Sequence, residues 1–355
     1  MTQAFINRIG TAHPPHDVHA AFLSFISEAL PEGTKRALFA RMARRAGISH
    51  RYSVLHADGM VEAGAAEEGF YRRGDYPGTA ARMRVYERFA PELAGRAIDG
   101  LQLADERDRI THLIVASCTG FVAPGLDQLI ARHLGLRPDL QRTLIGFMGC
   151  SAAIPALRAA QAAVLADPSA KVLVVNLELC TLHMQETADV ETALSFLLFG
   201  DGCAAALVSA EPSGLGLRDF RSALVPDTED HITWHIGDQG FVMHLSGKVP
   251  VRIAQSLREN PDFLLRGEGT QAIDLWAVHG GGRTVLDAVE HGLSLSKEAL
   301  TPSRDVLSAH GNMSSATVMF VLAGMLREAE PGARGMALAF GPGMVAESFR
   351  FTVAA

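Results

Sequence analysis

Cysteine is scarce in this chain: four residues in 355, at positions 118, 150, 180 and 203, with no CxxC pair. That spacing excludes a disulfide framework and a cysteine-based zinc site, and it fits a reducing, cytoplasmic setting. The ~20-residue apolar run of a membrane-spanning helix is also missing. The longest candidates are cut by Glu178 or by Gly200-Asp201-Gly202. The opening residues, MTQAFINRIGTAHPP, lack the basic and apolar regions of a secretory signal, so export is not expected. An excess of positive charge is absent too. A net charge of −7 gives no global field for nucleic acid, so any anionic ligand must be caught locally. His13, His16 and His19 recur every three residues, but Pro14 and Pro15 deny them a common helix face. No metal site is expected.

What is present is core material. Hydrophobic residues make up 48% of the chain and charged residues 20%, which predicts one large or two intimately packed globular units. Short apolar runs (112–116, 171–175, 274–278, 335–340) alternate with alanine- and leucine-rich helical stretches, the pattern of α/β layers around buried strands. Pro212, Gly214 and Gly216 mark a loop, which divides the chain into 1–212 and 213–355.

The two parts echo each other. In the first, a run ending at Cys118 is followed 32 residues later by Cys150 and a helix of small residues. In the second, a run ending at His279 is followed 33 residues later by Asn312 and another such helix. Apolar strands then begin 22 residues after Cys150, at Val172, and 24 after Asn312, at Met336. Two duplicated α/β halves would face equivalent turns across a pseudo-dyad, bringing Cys150, His279 and Asn312 to one cleft.

Taken singly these residues mean little, because a cysteine after glycine is usually core, a strand-end histidine usually packs, and Gly-Asn is usually a turn. Together they make a nucleophile, its imidazole partner and an amide donor. Gly149 permits a tight turn, and the following helix aims its free N–H groups at the Cys150 sulfur, an environment expected to favour thiolate. Asn312 can donate to an oxyanion or enolate. The motifs show no carboxylate general base, which suits a decarboxylation that generates its own carbanion.

The segments GFMGCSAA (146–153), KVLVVNLELCT (171–181), LFGDGCAAALV (198–208), WAVHGGGRTVLDAVE (276–290), HGNMSSATVMF (310–320) and FGPG (340–343) resemble the type III polyketide synthases, the chalcone and stilbene synthase group, in family order. The resemblance implies a thiolase fold, layered αβαβα, in a homodimer with acyl-CoA and malonyl-CoA as substrates and no other cofactor. It places the catalytic triad on Cys150, His279 and Asn312. It puts a gatekeeper on Phe199, with Met243 replacing a second aromatic one. Cavity positions fall on Cys118, Thr181 and the Gly341-Pro342-Gly343 turn. Two departures stand out, Gly280 where the family has proline and Ala123 where a bulky residue reaches across the dimer.

Between 31 and 51 the basic residues Lys35, Arg36, Arg41, Arg44, Arg45 and Arg51 face one acid, Glu32. By resemblance Arg41 and Arg45, one helical turn apart, match the cations that bind CoA phosphates, and Arg283 lies one turn from His279. Small or flexible side chains at 118, 123, 181 and 243 imply a medium or long aliphatic starter, giving an alkylpyrone or alkylresorcinol. Single-round condensing enzymes like ketoacyl synthase III or hydroxymethylglutaryl-CoA synthase are the near alternative, and a Cys-His-Asn hydrolase the distant one.

Overall fold

The computed structural model describes residues 2–56 and 69–355. Nine strands form one sheet: β1 (Phe5–Ala12), β2 (His112–Ser117), β3 (Gln141–Gly146), β4 (Val172–Leu179), β5 (Asp201–Ser209), β6 (Leu215–Leu224), β7 (Leu275–Val278), β8 (Arg334–Gly341) and β9 (Val345–Val353). Their spatial order is β7-β8-β9-β6-β1-β5-β4-β2-β3. The pairs β2–β3, β2–β4 and β7–β8 are parallel, and the remaining neighbours are antiparallel.

The order contains the internal echo. β1 and β6 meet through two register pairs only, Phe5 with Gly216 and Ile6 with Leu215. Outward from that seam, β5 corresponds to β9, β4 to β8 and β2 to β7. The outermost strand, β3, has no counterpart, because the chain before Asn312 forms the helix Thr301–His310 instead.

Side chains that alternate along each strand build three cores. On β4, Leu173, Val175 and Leu177 pack on one face with Leu93 and Ile98 of the helix Thr79–Asp99. Val172 and Val174 face the other way, toward Ile154 and Leu157 of the helix Ala153–Ala166 and Met319 and Leu322 of the helix Ala316–Glu328. Ala337 and Ala339 of β8 join that same middle core, while Met336 and Leu338 turn outward to Leu286 and Ile253. The result is helix, first half of the sheet, two shared helices, second half of the sheet, helix, in five layers. By length and composition Gly149–Ala166 could cross a membrane, yet here it is the middle layer, apolar because both of its sides meet a sheet. The two shared helices begin just after Cys150 and Asn312, so the layering places both residues at one end of the middle core.

Candidate active site

Cys150 sits in a single 3-10 turn, Gly149–Ser151, between β3 and the helix Ala153–Ala166. Gly149 has φ 61°, and a Cβ there would lie 2.4 Å from Pro342 Cδ. Only glycine therefore lets the cysteine turn pack on the Gly341-Pro342-Gly343 turn of the other half.

His279 follows β7, and its backbone N–H donates to Leu338 O at 2.8 Å. Its ring is 2% exposed, and neither ring nitrogen has a hydrogen-bond partner among the described residues. Asn312 is fixed on both sides of its backbone: its N–H donates to Leu198 O at 2.8 Å, and its carbonyl accepts from Gly200 N–H at 3.0 Å. This short bridge pairs Phe199 with Asn312. The Asn312 side chain donates from Nδ2 to Gly281 O at 3.2 Å and accepts at Oδ1 from Ser314 N–H at 2.8 Å. Gly281 also abuts the His279 ring, 3.5 Å from where a Cβ would be. His279 and Asn312 thus meet at Gly281, and the Asn312 side chain also hydrogen-bonds Cys150.

The charge state of Cys150 differs from the expected thiolate. Burial pushes the Cys150 thiol up to about 11, although hydrogen bonds from Ser314 and Asn312 pull it down. Burial alone pushes His279 down to about 4. At pH 7 both groups rest neutral, and burial makes the imidazole a weak base.

Cys150 opens into a narrow cavity of about 30 Å3, lined also by Cys118, Cys180, His183, Phe199, Trp234, Met243 and Pro342. That is room for about two waters. Trp234 is pinned across it by its indole N–H, which donates to Cys118 O at 2.8 Å. Thr181 does not line the cavity. It turns away, its hydroxyl donating to Asp201 at 2.8 Å, because the 3-10 turn Cys180–His183 directs Cys180 and His183 inward instead. Of the Gly341-Pro342-Gly343 turn, Pro342 alone is in the lining, while Gly341 leaves room for Ser151. Ala123 is exposed, outside this lining.

The structure adds a carboxylate that the motifs did not reveal. Glu178, on β4, is fully buried and accepts from Cys118 N–H at 3.0 Å, Thr119 Oγ1 at 2.9 Å and Ser315 Oγ at 2.6 Å. Burial raises it to about 7 despite these donors. Its negative form would oppose a thiolate at Cys150.

Arg41 and Arg45 are exposed on the helix Thr34–Arg45 and form no ion pair among the described residues. Arg283 is exposed as well, and its guanidinium donates to Arg45 O at 3.2 Å. Arg283 thus contacts the end of the helix that carries Arg41 and Arg45. It is Arg44, however, that lines the adjoining groove of about 640 Å3, with His19, Ser49 and Ser308.

Residues 2–212 match the family model for the N-terminal domain of chalcone and stilbene synthases, and residues 217–353 match the one for the C-terminal domain. The chain belongs to the chalcone and stilbene synthase family. This type III polyketide synthase is 36% identical over 288 residues, 77% of the chain and 73% of the relative, to the alpha-pyrone synthesis polyketide synthase-like Pks18 of Mycobacterium tuberculosis. It is 34% identical to the 1,3,6,8-tetrahydroxynaphthalene synthase of Streptomyces griseus over 88% of the chain and 82% of the relative. The crystal structure of PKS-I from the brown alga Ectocarpus siliculosus superposes with a TM-score of 0.88 at 30% identity, covering 99% of each chain. The synthase therefore has the thiolase fold and is an acyltransferase using malonyl-CoA.

Proposed function

We propose that this synthase performs iterative decarboxylative Claisen condensation, with 1–212 supplying the nucleophile Cys150 and 213–355 supplying His279 and Asn312. The observation that carries this reading is that Asn312 meets His279 at Gly281 and hydrogen-bonds Cys150. His279 takes the proton of the Cys150 thiol. The thiolate attacks the starter acyl-CoA, and CoA leaves as its thiol with that proton, giving an acyl-cysteine thioester. Malonyl-CoA then loses CO2, and the electron pair of the broken bond forms an enolate on the thioester oxygen. The second N–H of Asn312 Nδ2, not used on Gly281 O, and an N–H of His279 donate to that oxygen. The enolate carbon attacks the acyl-cysteine, expelling the Cys150 thiolate and lengthening the chain by two carbons. No further cofactor is needed, since every step moves protons and carbonyl electrons only.

Arg41, Arg45 and Arg283 hold the CoA phosphates. Phe199 and Met243 gate the passage inward, and Cys118 shapes its wall. The working unit is a homodimer, supported by the outermost strand β3, whose first four residues, Leu144 among them, are exposed, and by exposed Phe121 and Met148 beside it. The four thiols are free, as a cytoplasmic enzyme requires. The substrate is an aliphatic acyl-CoA and the product an alkylpyrone, in keeping with the relative named for alpha-pyrone synthesis. A short starter giving a compact polyphenol is the second reading, favoured by the small cavity that Trp234 crosses.

Mass spectrometry of products from a graded acyl-CoA series with malonyl-CoA tests both. Products of starter plus two or more malonate-derived units support iteration, whereas one unit indicates a single-round enzyme and free acid without CO2 a hydrolase. Trp234→Gly should lengthen the starters accepted. Unchanged preference would remove Trp234 from the argument.

A further inference from the structure

Arg51 stands apart from the basic segment that contains it. Arg41, Arg44 and Arg45 are exposed, whereas Arg51 is 0% exposed, and no carboxylate forms an ion pair with it among the described residues. Burying a cation is unfavourable unless strong acceptors replace water. Here Nη1 donates to Phe196 O at 2.9 Å and to Phe199 O at 3.0 Å, Nε donates to His19 Nδ1 at 3.0 Å, and the guanidinium lies 4.2 Å above the Phe22 ring. Burial lowers it only to about 9, so it remains charged at pH 7.

Those acceptors lie at one place in the site. Phe196 to Phe199 is the segment that ends at the gate and then bridges to Asn312. The Arg51 stem fills the space on the far side of that bridge: a Cβ on Gly311, which has φ 69°, would lie 2.8 Å from Arg51 Cγ. Substitution by an apolar side chain of similar length would retain the packing but leave two buried carbonyls unpaired. Packing alone therefore does not account for an arginine.

We infer that Arg51 is a positioning residue for decarboxylation, its guanidinium holding the Phe196–Phe199 carbonyls and, through the Phe199–Asn312 bridge, setting the Asn312 amide against the enolate oxygen. This rests on the donor role of Asn312. It separates Arg51 from CoA binding, because its charge is spent on backbone carbonyls inside the protein. Asn312 supplies one of two hydrogen bonds that favour the Cys150 thiolate, the other coming from Ser314, so acylation should depend on that amide less than decarboxylation does and the two half-reactions should respond differently.

The test compares Arg51→Met, Arg51→Lys and Asn312→Ala in the full-length protein. Starter loading is followed by intact mass and CO2 release by labelled malonyl-CoA. Arg51→Met should slow CO2 release about 10- to 100-fold, as a misplaced group does, with loading within about 3-fold of the parent. Arg51→Lys, which retains the charge but not the two-carbonyl fork, should fall between. If Arg51→Met does not fold, Arg51→Lys decides by the same ratio. Equal loss in both half-reactions, or normal CO2 release in a folded Arg51 variant, overturns the inference while a slow Asn312→Ala leaves the proposed function standing. A normal Asn312→Ala overturns both.

Discussion

The two halves of the sheet share four strands and part at the fifth. The first half adds β3, an exposed edge that delivers Cys150, whereas the second replaces it with the helix Thr301–His310 leading to Asn312. On the proposed mechanism, one framework thus presents a nucleophile from one side and donors from the other. The outer strand of the first half, β3, is exposed over its first four residues, whereas β7 at the opposite edge is largely buried. Duplication fixed where the groups stand, and divergence at one element decided what each half does.

Removing the group that serves both halves should have the largest effect. His279→Ala should slow overall condensation by about three to four orders of magnitude, since it takes the cysteine proton and donates to the enolate. A steady-state rate within tenfold of the parent would break the division.

Glu178, behind the site of the first half, gives the next effect. Its carboxyl is raised from 4.5 to about 7, so the stability this group contributes is complete below 4.5 and is lost as pH rises through about 7. Glu178→Gln, a mimic of the protonated form, should remove that loss, about 3 kcal/mol by pH 8. Thermal unfolding across pH 4 to 9 checks it, and parallel curves for the two proteins would contradict it.

Leu144→Glu on β3 should shift the protein toward monomer in sedimentation, by about tenfold or more in the dimer constant. The same change at exposed Leu165, which is not on that edge strand, should not. The smallest effect concerns reactivity. With Cys150 raised to about 11, its alkylation by iodoacetamide should climb about tenfold per pH unit from pH 7 to 9. A plateau near neutral pH would indicate a preformed thiolate.

Much of this arrangement was legible in the sequence, for reasons that particular residues make clear. The 32- and 33-residue separations agree although the elements inside them differ, the first spanning the helix Leu126–His133 and β3, the second the helices Arg283–Leu293 and Thr301–His310. Glu178 was hidden by its setting: inside VLVVNLEL it read only as a break in an apolar run, and its donors come from Cys118, Thr119 and Ser315, far away in sequence. Thr181 was off by one because a 3-10 turn, not a strand, follows β4, and the facing of a turn residue has no periodicity to read. Arg51 looked like one more solvated cation, since burial of a charge depends on acceptors brought by another segment. The resting charge states were likewise set by enclosure that no motif encodes.

The central claim is that Cys150 holds the chain while the second half makes the enolate. Intact mass after starter addition, run beside labelled CO2 release from malonyl-CoA, tests it on two variants. Cys150→Ala should form no acyl-enzyme yet still release CO2. Asn312→Ala should load the starter yet release CO2 about two to three orders of magnitude more slowly. Normal decarboxylation by Asn312→Ala, or its loss in Cys150→Ala with the fold intact, would contradict the account.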